Sequence, residues 1–300
     1  MGVSETQKKI TMNDLNKNIT KDELLELKND LVKLIKSSNR FDKEKTLTLE
    51  LMRLNNTRSI TRLEKLQANI IANMYQLAKK QEDKATDLLT DVFKEDYVSS
   101  LYDFYKDDAK LVQNALNKNL IGLSNKDISI IIKTKWSGNN YSDSIWKREY
   151  NIANKLQEKM VQHMLRGSSV DRLSRELKNE LKIDSETNVR RLIQTETSYV
   201  NNQATLQTYE DLGFTEYKIL ATLDNKTSHI CQEQDGKIYK TSEAIVGVNY
   251  PPFHPNCRTT TISINKYNFT DSRAGRTKKG SVILPANMNY KEFKEKILNN

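Results

Sequence analysis

The 300-residue sequence predicts an α+β fold that is predominantly α: long amphipathic helices, then a small C-terminal β unit holding a Pro/Cys/His loop. Three observations carry the prediction. Apolar residues recur at spacings of three and four through most of the chain up to Leu212. Beyond Gly213 the period shifts to two and β-branched residues collect. Finally, Pro251-Pro252-Phe253-His254-Pro255-Asn256-Cys257-Arg258 packs three of the four prolines and one of the two cysteines into eight positions.

Residues 1–19 read as a polar, mobile leader. Thr20 then suits an N-cap, with Glu23 placed to complete a capping box, and Leu24, Leu27, Leu31, Leu34 and Ile35 follow at helical spacing. Residues 42–80 read as one long helix carrying Leu47, Leu51, Leu54, Leu63, Leu66, Ile70, Met74 and Leu77. Those mixed spacings fit either intramolecular core or an oligomer seam. Helical patterning continues through 82–121, where Phe93, Tyr97, Tyr102, Phe104 and Tyr105 are expected to pack as core. Ser124-Asn125 restarts a short helix over 126–133. Ser142 or Asp143 caps another to about Leu165, and Gly167-Ser168-Ser169 caps one over 170–181. A further helix from about Ser185 ends at Gly213, as a C-cap glycine requires.

In the β unit, Phe214, Tyr217, Ile219 and Ala221 suggest one strand, Lys237-Ile238-Tyr239 a second and Thr259 to Ile264 a third. The expected organisation is a leader over 1–19, a helical N-terminal region over 20–134 suited to self-association, a domain over 135–265, and a basic tail over 266–300. The centre of that tail, Arg273-Ala-Gly-Arg276-Thr-Lys278-Lys279-Gly280, is expected to be flexible.

Lys plus Arg number 48 against 39 acids, a formal charge of +9. An excess of this size favours a polyanionic partner, nucleic acid being the common one. No apolar run reaches the 18 or so residues of a membrane span, and residues 1–18 lack the apolar region of a signal peptide. Two cysteines without such a signal suit a reducing compartment, so free thiols are expected.

His254 and Cys257 have the spacing of a tight metal loop. Cys231 would add a third ligand, and His229, Asp224 or Asp235 a fourth, a mixed set that suits structural zinc. The other reading is that both cysteines are small buried packing residues and that His254 bonds a turn carbonyl. Arg258 is expected to fork onto a carboxylate of the preceding helix, Glu196, clamping the β unit to the helical body. Phosphate-binding loops, nucleophile elbows and zinc-protease motifs are absent. His254 and Asn256 beside a metal would suit a metal-dependent nuclease, but no second histidine or carboxylate pair stands close by. No enzyme is therefore expected.

At these residues the chain resembles the Mu F-like, head-morphogenesis minor capsid proteins of tailed bacteriophages. The resemblance runs over 135–264. In order, it rests on Trp136-Ser137-Gly138 with Tyr141-Ser142-Asp143 and Trp146; Gly167-Ser168-Ser169; Arg191 to Glu196 with Asn202 and Ala204; Gly213-Phe214; Asp224 to Ser228; Cys231 with Asp235-Gly236; and the Pro251–Arg258 octapeptide. Gln194 and Lys226 stand where many relatives carry Arg, and Ser228 where some carry Cys. The resemblance implies a minor head protein inside the virion, associated with the portal protein, assembled in the host cytoplasm, and linked to DNA packaging or delivery. With the basic charge, it gives the expectation of an oligomer that binds double-stranded DNA without sequence preference, through Arg273, Arg276, Lys278 and Lys279 among others. The alternative within the same resemblance is a pure assembly factor that ignores DNA.

Overall fold

Capping chemistry sets the helix boundaries in the computed structural model, which describes residues 12–37, 41–118, 122–166, 170–264, 272–277 and 280–298. Helix α1 spans Met12–Leu15 and α2 spans Lys21–Lys36. Thr20 and Glu23 form the expected capping box. Residues 1–11 of the expected leader lie outside the described residues; 12–19 are folded, with Leu15 and Ile19 buried.

The single helix read over 42–80 is two, α3 (Phe41–Asn55) and α4 (Arg62–Asp107). The break is chemical. The Thr61 hydroxyl accepts the Glu64 N–H at 3.2 Å, and the Glu64 carboxylate accepts the Thr61 N–H at 2.8 Å. The pattern over 82–121 divides likewise, with Asp108 capping α5 (Ala109–Asn117) through the Leu111 N–H. Ser124 and Asp127 box the start of α6 (Asn125–Ile132). Helix α7 spans Tyr141–Leu165, and α8 runs unbroken over Val170–Asp211, so no boundary falls near Ser185. The proposed Gly167–Ser169 cap lies outside the described residues.

Gly213 ends α8 as expected. Its φ is +76°, its N–H bonds Glu210 O, and the Phe214 N–H bonds Tyr209 O at 2.8 Å. That is the paired closure of a Schellman motif, and the Phe214 ring packs on Tyr209 with centroids 6.3 Å apart.

The chain divides into two compact units, residues 1–84 with 142–188 and residues 85–141 with 189–300. This division cuts across the linear blocks expected from sequence, because α4 and α8 each contribute to both. In the first unit, Leu24, Leu27 and Leu31 of α2, Leu47 and Leu54 of α3, and Ala68 and Tyr75 of α4 share one core. Leu47, Leu54 and Ile70 of the Leu-rich stripe are therefore intramolecular core, while Leu66 and Leu77 stay exposed. Glu82 is buried among these helices. It accepts the Ser142 hydroxyl at 2.6 Å and the Trp146 indole N–H at 2.9 Å.

In the second unit, Phe93 and Tyr97 are core, whereas Tyr102 and Tyr105 are exposed. Strand β1 (Glu216–Leu220) is central in the antiparallel order β2-β1-β3, with β2 at Ile238–Lys240 and β3 at Thr260–Ser263. Between β1 and β2 lies the short helix α9 (His229–Gln234). Helix makes up 65% of the chain, and every strand among the described residues follows Gly213, so the α+β, predominantly α class holds.

The tail differs from expectation. It forms a hairpin, β4 (Ser272–Thr277) with β5 (Gly280–Pro285), followed by α10 (Tyr290–Phe293). An isolated hairpin is marginal in water, so its order must come from long-range contacts. Gly275 bridges to Leu223, and Leu223, Leu284, Tyr290 and Phe293 form a core of their own. A Cβ at Gly275 would sit 2.7 Å from Leu284 Cδ1 and 3.3 Å from Phe293 Cε2. We expect Gly275→Ala to lower stability by about 1–2 kcal/mol in thermal melts, overpacking outweighing the entropic gain. A raised melting temperature would show that Leu284 simply turns away.

Candidate functional site

Strand register builds the site. Leu220 faces Thr260 across β1 and β3. Continuing that antiparallel count two residues outward brings Thr222 opposite Arg258, and the Thr222 hydroxyl donates to Arg258 O at 3.1 Å. Asp224, just beyond, receives the guanidinium fork: Arg258 Nη1 to Oδ2 at 2.6 Å and Nη2 to Oδ1 at 2.9 Å. The Lys226 N–H and the Thr227 hydroxyl complete the carboxylate's shell. With Arg258 beside it, the Asp224 carboxyl is held down at about 2. The expected Arg258–Glu196 clamp is thus corrected. Sheet pairing delivers Asp224 to the arginine, and both oxygens of Asp224 are occupied by the fork, which leaves it no role as a fourth metal ligand.

Glu196 instead accepts the Trp136 indole N–H at 3.3 Å and is only 4% exposed. Burial pushes its carboxyl up to about 7, with the Trp136 bond opposing. Trp136 stacks on Tyr199, ring centroids 5.4 Å apart and planes 11° from parallel, and Tyr199 donates to Ile131 O. So the Trp136-Ser137-Gly138 loop is seated on α8.

The octapeptide is seated on the same helix. The Asn256 N–H donates to the Thr195 hydroxyl at 2.9 Å, and the Ser198 hydroxyl donates to Cys257 O at 2.9 Å. Tyr250, fully buried, donates to Asn202 O at 2.6 Å. Asn256 itself takes a φ of +59°, a conformation Asn tolerates better than most residues. Thr195, Ser198 and Asn202 thus anchor the loop through their own polar groups.

The chemically distinctive group is Cys231, His254 and Cys257, whose ligand atoms lie within 4.8 Å of one another. The sulfurs are 3.6 Å apart, and Cys231 Sγ is 3.2 Å from His254 Nε2. Both cysteines are buried and free. Cys257 is the thiol pushed down, to about 5, because Cys231 and nearby backbone N–H groups bond its sulfur. The same bond, with burial, pushes Cys231 up. His254 Nδ1 lies 2.8 Å from Pro255 O. A carbonyl can only accept, so Nδ1 carries the proton and Nε2 presents its lone pair to the Cys231 thiol and the Ser228 hydroxyl.

Ser228 stands at the N-cap of α9 yet makes no capping bond; its hydroxyl lies 2.7 Å from His254 Nε2. Beside this group is a pocket of about 40 Å³, lined by Ser228, Cys231, His254, Lys226 and Arg258 among others. In the sequence Ser228 is marked only as a position where some relatives carry Cys; its unused cap is visible only in three dimensions.

The remaining candidates lie apart. His229 is 85% exposed and pairs with Glu233 at 3.1 Å, so it does not join the cysteines. Asp235 and Arg273 form a buried pair with side chains 0% and 11% exposed. Arg273 is therefore corrected from a flexible phosphate contact to a fixed structural one, and Asp235, so engaged, is no metal ligand. Arg276 is exposed on β4, while Lys278 and Lys279 lie outside the described residues. His163 is buried and bonds Glu176 at 2.9 Å.

Chemically the site can hold a soft divalent cation. Among the described residues, it is the one group of three or more His, Cys, Asp or Glu side chains with converging ligand atoms, and no carboxylate belongs to it. No helix among the described residues is long and apolar enough to cross a membrane.

The family model for Phage Mu protein F like protein matches residues 154–262. No curated protein and no solved structure matches the chain. The matched span contains the anchoring residues of α8, the β1–β3 sheet up to Ile262, the Asp224–Arg258 fork and the cysteine–histidine group. Over these residues, a little over a third of its length, the chain is similar to the Mu F-like family of phage head proteins.

Proposed function

We propose that the chain is a phage head protein: a minor, portal-associated structural component that binds packaged double-stranded DNA without sequence preference. The observation that carries the reading is the Mu F-like match over residues 154–262, joined to a net charge of +9. The C-terminal module offers exposed Lys226, Lys237, Arg276, Lys291 and Lys294 for phosphate contacts. Its polar groups around the octapeptide are engaged with one another, which suits a rigid docking element rather than a catalytic cleft. The 214–264 sheet unit is the part we assign to portal or neighbouring copies, and the exposed Leu49, Met52, Leu66 and Leu77 of the N-terminal helices to self-association.

Fluorescence anisotropy with two unrelated duplexes tests the DNA half. Engaging four of these cations should cost about two decades of affinity between ~50 and ~200 mM salt, with both duplexes bound alike. Arg276→Ala should lower the salt slope by about one unit. Absence of binding at low salt would leave a pure assembly factor.

A further inference from the structure

We propose that Cys231 Sγ, Cys257 Sγ and His254 Nε2 bind one zinc ion, with the fourth coordination position on the Ser228 side. The zinc would be a structural clip joining the start of α9 to the octapeptide, 26 positions apart at the cysteines. This goes beyond the head-protein reading and does not depend on DNA binding.

The distances set the case. Two thiolates each ~2.3 Å from a tetrahedral zinc lie about 3.8 Å apart, and a thiolate and an imidazole nitrogen about 3.5 Å apart. The observed separations are 3.6 Å between sulfurs and 3.2 Å from Cys231 Sγ to His254 Nε2. Both are within a few tenths of an ångström of what zinc requires, and all three ligand atoms lie within 4.8 Å of one another, so binding needs loss of the thiol protons and closure of Cys257 and His254 toward each other by about an ångström at most. A disulfide would instead need the sulfurs to close to ~2.05 Å.

Orientation supports the same reading. His254 Nδ1 is held by Pro255 O, the outer contact that fixes tautomer and ring direction in metal-bound histidines. Buried cysteines that merely fill space need no histidine nitrogen aimed at one of their sulfurs. Each ligand-bearing segment is also tied down independently. Ser198 holds Cys257 O, Thr195 holds the Asn256 N–H, and the Arg258 fork holds Asp224 ahead of α9.

The fourth corner follows from Ser228, whose hydroxyl sits 2.7 Å from Nε2 after giving up its cap. The adjoining 40 Å³ pocket has room for a water there. Three protein ligands with an open position normally indicate a catalytic zinc. Among the described residues no carboxylate joins the group to act as a base, so the fourth corner is the position that a cysteine in place of Ser228 would fill.

The test uses the full chain, purified with reductant and quantified for metal. One equivalent of zinc is expected, and chelation should lower the melting temperature. Cobalt(II) titrated into the chelated wild-type protein should give tetrahedral visible absorption and thiolate-to-metal charge transfer. Ser228→Cys should raise that charge-transfer intensity by about half, thiolates going from two to three, and should slow zinc loss to a chelator. Because the apo wild type is measured directly, a Cys257→Ala variant that fails to fold does not cloud the result. Substoichiometric zinc with both thiols reactive, octahedral cobalt without charge transfer, or a Ser228→Cys spectrum identical to wild type would each overturn the proposal.

Discussion

Replacing Asp235 with alanine should destabilise the C-terminal module by about 3–5 kcal/mol, the largest single-residue loss we expect in it. The carboxylate is fully buried and accepts four hydrogen bonds: from the Ala221 N–H at 2.8 Å, the Tyr290 N–H at 2.6 Å, and Arg273 Nη1 and Nη2 at 3.2 and 3.1 Å. It therefore joins the end of β1, the β4–β5 hairpin and the first turn of α10. Removing it strands a guanidinium that is 11% exposed and leaves two backbone N–H groups without an acceptor. Arg273 would keep only carbonyl partners, Met288 O and Ala221 O. Amide exchange at Ala221 and Tyr290 should accelerate at least about a hundredfold. Asp235→Asn should fall between, retaining an acceptor but not the charge. A loss under about 1 kcal/mol would mean that water enters the junction and that the hairpin does not depend on it.

The same junction separates two arginines that look equivalent in sequence. Arg273 and Arg276 lie three apart in a run of basic residues, and both were read as phosphate contacts. Arg273 turns inward to Asp235, while Arg276 is exposed. Nothing local marks the difference, because the acid that captures Arg273 is 38 positions away. The hairpin was illegible for a related reason. Its ordering core pairs Leu284 and Phe293 with Leu223, residues distant in sequence.

What was legible was what local chemistry dictates. Thr20 with Glu23, Ser124 with Asp127, and Gly213 each satisfy helix-end groups from within a few residues, and each boundary fell as read. The Thr61–Glu64 box was equally readable but was overridden by the apolar stripe running past it. For the site, the spacing of His254 and Cys257 was enough to suspect a metal group, and Cys231 does join it. Its geometry, like the partner of Arg258, depends on the β1–β3 register, which no short motif encodes. Glu196 is a natural clamp in sequence because a fork to the preceding helix would tie the β unit to the helical body, yet the sheet delivers Asp224 to Arg258 instead.

Freed from Arg258, Glu196 becomes a source of pH sensitivity. Its carboxyl is 4% exposed, with a single indole N–H donor at 3.3 Å, and burial lifts it from 4.5 to about 7. A raised acid favours the folded state most when protonated. Its contribution is fully present below about pH 4.5 and is lost as pH rises through about 7. A shift of that size corresponds to about 3 kcal/mol between the two limits. Glu196→Gln keeps an acceptor for Trp136 without the charge, so it should flatten this part of the profile. Relative to wild type, it should gain up to about 3 kcal/mol at pH 8 and little at pH 4.5, measured by urea unfolding at both values. Parallel wild-type and Gln profiles would rule the account out. The placement gives the effect a structural reach. Thr195, next to Glu196, holds the Asn256 N–H, and Tyr199, one turn on, carries the Trp136 ring. Ionising one buried carboxyl therefore strains the α8 segment that holds both the Trp136 loop and the octapeptide. Exchange protection at Asn256 should fall with rising pH in wild type and stay constant in Glu196→Gln.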